Sequence, residues 1–308
     1  MSSIISTPKS YSQEFIQYDR VYPLVDKKLE TLISNVLEQK LTPEEHNFLD
    51  TKTQTLGVDP ALTRDLFDSF KVKFQQMLES SKLNSITNLN LANRVDICSG
   101  CTQYIDSIYM KYGRNGVQVL NREYNYHRRM NPHINFRSLN SLMPDFPLII
   151  SQPFYTGSTH HQMTEILDRC AEYNIPVHID GAWITACKNI KVDFSHPAIE
   201  SFAVSMSKGY GLSGWNRIGV RWTKEVLEDS ITVMNDFLQV PAQHVAVGLY
   251  FLNNVDVDHL WNTHKDSYYK ICADFNLEPT DTIHAVRDGD LIRGIGPLIR
   301  YLESVSGN

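Results

Sequence analysis

The stretch that decides the fold opens with Pro176-Val177-His178-Ile179-Asp180-Gly181-Ala182-Trp183. One strand-helix unit later it continues as Ser205-Met206-Ser207-Lys208-Gly209-Tyr210-Gly211-Leu212-Ser213-Gly214-Trp215-Asn216-Arg217-Ile218-Gly219. The first part is an apolar run ending in an acid and a glycine. Strand alternation puts Val177 and Ile179 on one face and His178 and Asp180 on the other. Asp180 then stands at the C-terminal end of its strand, where open α/β sheets bind ligands. The second part gathers three serines, one lysine, four glycines and an arginine around an apolar run.

Outward from this stretch, short apolar runs alternate with helical spacing. Arg94-Val95-Asp96-Ile97-Cys98 reads as a strand, followed by Ser99-Gly100-Cys101-Thr102. Ile105, Ile108, Tyr109 and Tyr112 then mark one face of a helix that Gly113 closes. A strand, a small-residue turn and a helix N-terminus make a cradle for phosphate, with free N–H groups and the positive end of the dipole. The same turn also serves any close strand-helix connection, so taken alone it does not decide. Val117–Leu120 and Pro147–Ile150 read as further strands, and Met163, Ile166, Leu167 and Cys170 as a helix face. Tyr124 follows one of these strands. His160-His161 with Glu165 lacks a metal-binding spacing and reads as a solvated helix start. Alternation at this spacing predicts a mostly parallel, doubly wound α/β sheet.

Ahead of it, apolar spacing from Asp26 to Gln39 predicts a helix, Thr42-Pro43-Glu44-Glu45 has the form of a capping box, and Asp59-Pro60 starts a helix reaching Ser80. After Trp222 the alternation stops. Helices near 225–237 and 241–253, a late strand carrying Arg293 and a last helix through Tyr301 form a smaller α+β portion. The expected division is 1–80 for an N-terminal arm and helices, 81–223 for a large α/β domain and 224–308 for a small C-terminal domain.

The chain has 308 residues, 42% of them hydrophobic, which is enough for a large core. A formal net charge of -6 leaves no basic surplus for nucleic acid. Five scattered cysteines fit a reducing compartment better than a disulfide framework. Cys98-x-x-Cys101 is a lone pair without the remaining ligands of a structural metal site, so no metal is expected. No basic leader, signal peptide or membrane-length apolar run is read, which makes a cytoplasmic protein the expectation.

Asp180, Ser205-x-x-Lys208 and a Gly-rich link to Arg217-x-Gly219 resemble the core of the fold-type I pyridoxal-phosphate (PLP) enzymes, and within them the class I/II aminotransferases. The resemblance covers residues 94–222 well, 285–302 loosely and the first 80 hardly at all. It implies a PLP-dependent aminotransferase acting on an amino acid or related amine, working as a homodimer. Lys208 would be the catalytic lysine that forms the imine and moves the Cα proton, and Asp180 the acid on the ring nitrogen. Ser205, Ser207, Arg217, Gly100, Cys101 and Thr102 would hold the phosphate end. Tyr124 would stack on the ring, and Arg293 would take the substrate carboxylate. The sequence departs from the family where Phe154 stands for an asparagine that donates to the cofactor's phenolic oxygen. Trp183 replaces the tyrosine that shares the task, leaving Trp183 or Gln152 to compensate. His178-x-Asp180-x-Ala182 is also similar to PLP-dependent decarboxylases, but those place His directly before the lysine, where Ser207 stands here. A decarboxylase or lyase on the same fold is the alternative reading, and a non-catalytic regulator the remote one.

Overall fold

The computed structural model describes residues 21–38, 40–41, 59–134 and 136–306. The N-terminal arm and the capping box at Thr42–Glu45 fall largely or wholly outside the described residues. In chain order the strands are β1 (Ser85–Thr87), β2 (Arg94–Cys98), β3 (Gln118–Leu120), β4 (Phe136–Arg137), β5 (Leu148–Ser151) and β6 (Val177–Asp180). They continue with β7 (Lys191–Asp193), β8 (Ile199–Ser205), β9 (Gly219–Thr223), β10 (Glu278–Pro279), β11 (Ala285–Asp288) and β12 (Leu291–Gly294).

Seven of them form the central sheet, in the order β2-β9-β8-β6-β5-β3-β4. Every neighbouring pair is parallel except the two that involve β9, which runs antiparallel to both β2 and β8. The expected mostly parallel, doubly wound sheet is therefore present, with one strand reversed.

The sheet is buried on both faces, and the side chains sort accordingly. Val119, Ile149 and Ala203 pack with Tyr104, Ile105, Ile108 and Tyr109 of the helix Cys101–Tyr112. Their strand neighbours Leu148, Ile150, Phe202 and Val204 point the other way, into the main core. That core takes in Phe67, Phe70 and Phe74 of the helix Pro60–Ser80 and Phe251 of the helix Ala242–Asn254. Asp59 caps the Pro60–Ser80 helix through the Ala61 N–H at 2.8 Å, as its Asp-Pro start predicts.

Polar residues that enter the core are tied to one another. Arg221 is fully buried on β9 and is held by Asp96 at 2.7 Å and by Asp229, which pins β2 and the helix Ser230–Asp236 to the reversed strand. His178, facing away from Val177 as alternation requires, has its Nδ1 2.7 Å from the Ser201 hydroxyl, which lies 2.7 Å from Tyr104 Oη. The strands β10, β11 and β12 make a separate antiparallel sheet.

Strand register places the site. Cys98, Gly219 and Ser205 lie side by side across β2, β9 and β8, and Asp180 pairs with Ala203 one strand further. Because β9 is reversed, the residues entering it stand at the same sheet edge as the residues leaving β2 and β8. Gly100, Arg217, Ser205 and Asp180 thus converge.

Candidate active site

The helix Cys101–Tyr112 begins at Gly100, whose φ of 84° and ψ of 176° suit glycine and no other residue. No side chain caps this helix end, so its first N–H groups face the sheet edge. A Cβ at Gly100 would lie 3.5 Å from the Ser205 Cβ and 3.7 Å from Arg217 Nη2. Arg217 Nη2 donates to Thr102 Oγ1 at 3.1 Å, and the hydroxyls of Ser205 and Ser207 are 2.8 Å apart. A helix N-terminus, three hydroxyls and a guanidinium are a donor set for a phosphate group. Cys101 contributes only its backbone to this cup. Its thiol is buried 3.5 Å from the Ala203 carbonyl, and burial, then the charge of Asp180, pushes its pKa well up.

One strand over, Asp180 is 6% exposed and accepts the Ala182 N–H at 2.9 Å. Burial pushes its pKa up to about 6 against the pull of that N–H and of the Cys101 thiol. A carboxylate so placed is stabilised by a cation, and a protonated ring nitrogen is one. Lys208 reaches the same space with its Nζ 4.5 Å from the centroid of the Trp183 ring. Burial and then the charge of Arg217 hold its amine below the ordinary lysine range. A lysine biased toward the neutral form is the form that attacks a carbonyl.

No protein-family model matches the sequence, and no curated protein matches it. Solved structures do. The N-succinyldiaminopimelate aminotransferase of Mycobacterium tuberculosis is similar over 92% of this chain and 77% of its own, with a TM-score of 0.58 at 13% identity. A double mutant of the aspartate aminotransferase of Thermus thermophilus is similar over 93% and 84%, with a TM-score of 0.57 at 14% identity. The YbdL protein of Escherichia coli, identified as a methionine aminotransferase, is similar over 92% and 79%, with a TM-score of 0.55 at 14% identity.

The chain has the fold of the class I/II aminotransferases.

Within this aminotransferase fold, the structure brings Gly100, Cys101, Thr102, Ser205, Ser207 and Arg217 into one cup and sets Asp180, Lys208 and Trp183 beside it. Trp183 is partly buried, with its ring centroid 4.5 Å from Lys208 Nζ and 5.7 Å from the His284 ring, which it meets edge-on. Tyr124 is 51% exposed and stacks on Tyr126 at 5.8 Å; the Tyr126 hydroxyl bonds Asp106 at 2.5 Å. Arg293 lies on β12 opposite Val286, with its Nε 3.3 Å from Asp288 Oδ2.

Three features differ from the sequence-based expectation or escape it. Gln152, not Phe154, follows β5 beside Asp180: its N–H donates to the Asp180 carbonyl at 2.9 Å. Its side-chain amide donates to the Lys191 carbonyl while Oε1 is buried without a partner, and Phe154 packs edge-on to His160 at 4.7 Å. His160 is not at a solvated helix start. Its Nε2 is 3.3 Å from the buried Glu123, which also accepts the Ser151 N–H at 2.9 Å and hydroxyl at 2.7 Å. Glu123 precedes Tyr124, and nothing in its neighbourhood marks it as buried. His284 is likewise silent in the sequence, inside an apolar run. Its Nδ1 accepts the Leu24 N–H at 2.9 Å and its Nε2 lies 3.2 Å from the Lys208 carbonyl.

Proposed function

We propose that the protein is a PLP-dependent aminotransferase acting on an amino acid or related amine. The observation that carries this reading is the meeting, at one sheet edge, of a phosphate-type donor cup, a buried acid and a desolvated lysine. In it, Arg217, Ser205, Ser207, Thr102 and the N–H groups after Gly100 bind the phosphate of the cofactor. Asp180, as a carboxylate, would accept a hydrogen bond from the protonated ring nitrogen and keep that nitrogen cationic. The cofactor when bound supplies an electron sink for the substrate's α-carbon. Lys208, with its lowered proton affinity, accepts the proton at that carbon and returns it elsewhere. Trp183 forms a wall that keeps water from the amine and holds it in place.

Arg293 exchanges Asp288 for the substrate carboxylate in this reading. The same reading takes Tyr124 to turn from Tyr126 onto the cofactor ring, and divides the chain into a large domain at 81–223 and a small one at 224–308. It also takes the protein to be a cytoplasmic homodimer. All five cysteines are buried and free, which fits a reducing compartment. No described helix is long and apolar enough to cross a membrane.

The test is a panel of amino donors with a 2-oxo acid acceptor, read as the new 2-oxo acid formed with added PLP. One donor whose product needs both PLP and Lys208 supports the reading. Carbon dioxide or ammonia released in place of transfer would contradict it and favour a decarboxylase or lyase.

A further inference from the structure

Away from the cofactor cup, three helices bring their polar ends together. Asp26 caps the helix Lys27–Leu37 by accepting the Leu29 N–H on Oδ1 at 2.9 Å. Its second oxygen, Oδ2, meets His259 Nε2 at 2.7 Å and His264 Nε2 at 2.9 Å, both on the helix His259–Phe275. Glu303 comes from the last helix, Gly296–Ser306, and also accepts the Lys27 N–H at 3.4 Å. One donor atom each from Asp26, His264 and Glu303 lies within 4.8 Å of the others. Asp26 and His264 are only 1% and 4% exposed, so this is a shielded site and not a surface patch of acids.

We propose that Asp26, His264 and Glu303 bind one divalent transition-metal ion of the zinc class, with His259 held on the Asp26 carboxylate beside it. The donor set carries the argument. Two carboxylates and a neutral imidazole cancel a 2+ charge, and mixed nitrogen and oxygen donors suit zinc rather than magnesium. Ligands about 2.0–2.1 Å from a tetrahedral ion stand roughly 3.3 Å apart, so donors that lie within 4.8 Å of one another need to move by at most about 1.5 Å. His264 then turns the Nε2 lone pair to the ion and carries its proton on Nδ1. His259 keeps Asp26 oriented, as outer partners of metal-bound carboxylates do. The ion would tie the three helices at a point two residues from Leu24, whose N–H is accepted by His284 Nδ1.

The experiment uses the full chain, stripped with a chelator, dialysed and titrated with Zn²⁺ by calorimetry and with Co²⁺ by absorption. The expected result is one ion per chain, a Co²⁺ spectrum of a low-coordinate site without a thiolate charge-transfer band, and a melting temperature raised by about 5 °C at a hundredfold excess over Kd. His264→Gln and Glu303→Gln each abolish the stoichiometric site while far-ultraviolet circular dichroism stays unchanged, and His259→Gln weakens it about 10–100-fold. Binding no tighter in the parent than in the His264→Gln, Glu303→Gln double variant would overturn the proposal. So would a thiolate band, which would move the ion to Cys98 and Cys101. Neither readout depends on PLP, so failure of this site leaves the aminotransferase reading standing.

Discussion

His284 Nε2 lies 3.2 Å from the carbonyl oxygen of Lys208. Because Nδ1 accepts the Leu24 N–H, the ring's proton is on Nε2 and the Lys208 carbonyl is its acceptor. Burial pushes the His284 pKa down to about 3, so the ring stays neutral wherever the protein is folded near neutral pH. The imidazole thus joins the N-terminal segment to the backbone of the lysine, and the backbone carbonyl of the same residue accepts the N–H of Ile295, just past β12, at 3.0 Å.

Replacing His284 by Ala leaves the Leu24 N–H without its acceptor and opens a cavity against Trp183. The expected loss is about 3 kcal/mol in denaturant unfolding. PLP affinity and turnover fall with it, because Lys208 loses a backbone anchor. A variant as stable as the parent would show that the contact is incidental.

The two buried histidines set an acid limit. Burial lowers His178 as well as His284 to about 3, whereas an unfolded histidine titrates near 6.5. The unfolded chain binds these protons first, so their contribution is complete above about pH 6.5 and is lost as pH falls toward 3. By pH 5 each ring costs roughly 2 kcal/mol of stability. Unfolding free energies at pH 7.5 and pH 5 should therefore converge in a His178→Asn, His284→Asn double variant. An unchanged gap would assign the acid limit to other groups.

At the cup, Arg217→Ala should weaken PLP binding about 10–100-fold, the worth of a charged hydrogen bond. Gly100→Ala should do so too, because its Cβ enters the cup and the backbone there suits only glycine. Stability should fall by about 1–3 kcal/mol for the glycine change alone. Retained affinity in both variants would place the phosphate elsewhere.

For Arg293, change to Ala should raise KM for a carboxylate substrate by about 10–100-fold with little effect on PLP affinity. Asp288→Asn should lower KM, since it frees the guanidinium from its 3.3 Å partner. Equal KM values in parent and Arg293→Ala remove its role.

The strand ends were legible because they are marked twice, by an apolar run and by the polar residue that terminates it. Asp180 and Ser205 have this form, and Gly100 marks the start of the helix after β2. Their convergence follows from register, which the reversal of β9 completes and which no local pattern states. Gln152 was harder to read: only its position after β5, beside Asp180, separates it from Phe154. Glu123 and His284 were not legible at all, since each is defined by partners distant in the chain, Ser151 and His160 for one, Leu24 and Lys208 for the other. Tyr124 was read for its ring, and the structure stacks that ring on Tyr126.

The most direct measurement is borohydride reduction of the protein incubated with PLP, followed by peptide mass spectrometry. A phosphopyridoxyl mass on Lys208, at one per chain and absent from Asp180→Ala at limiting PLP, is the predicted result. The same mass spread over exposed lysines, with Lys208 unmodified, would contradict the assignment of this site.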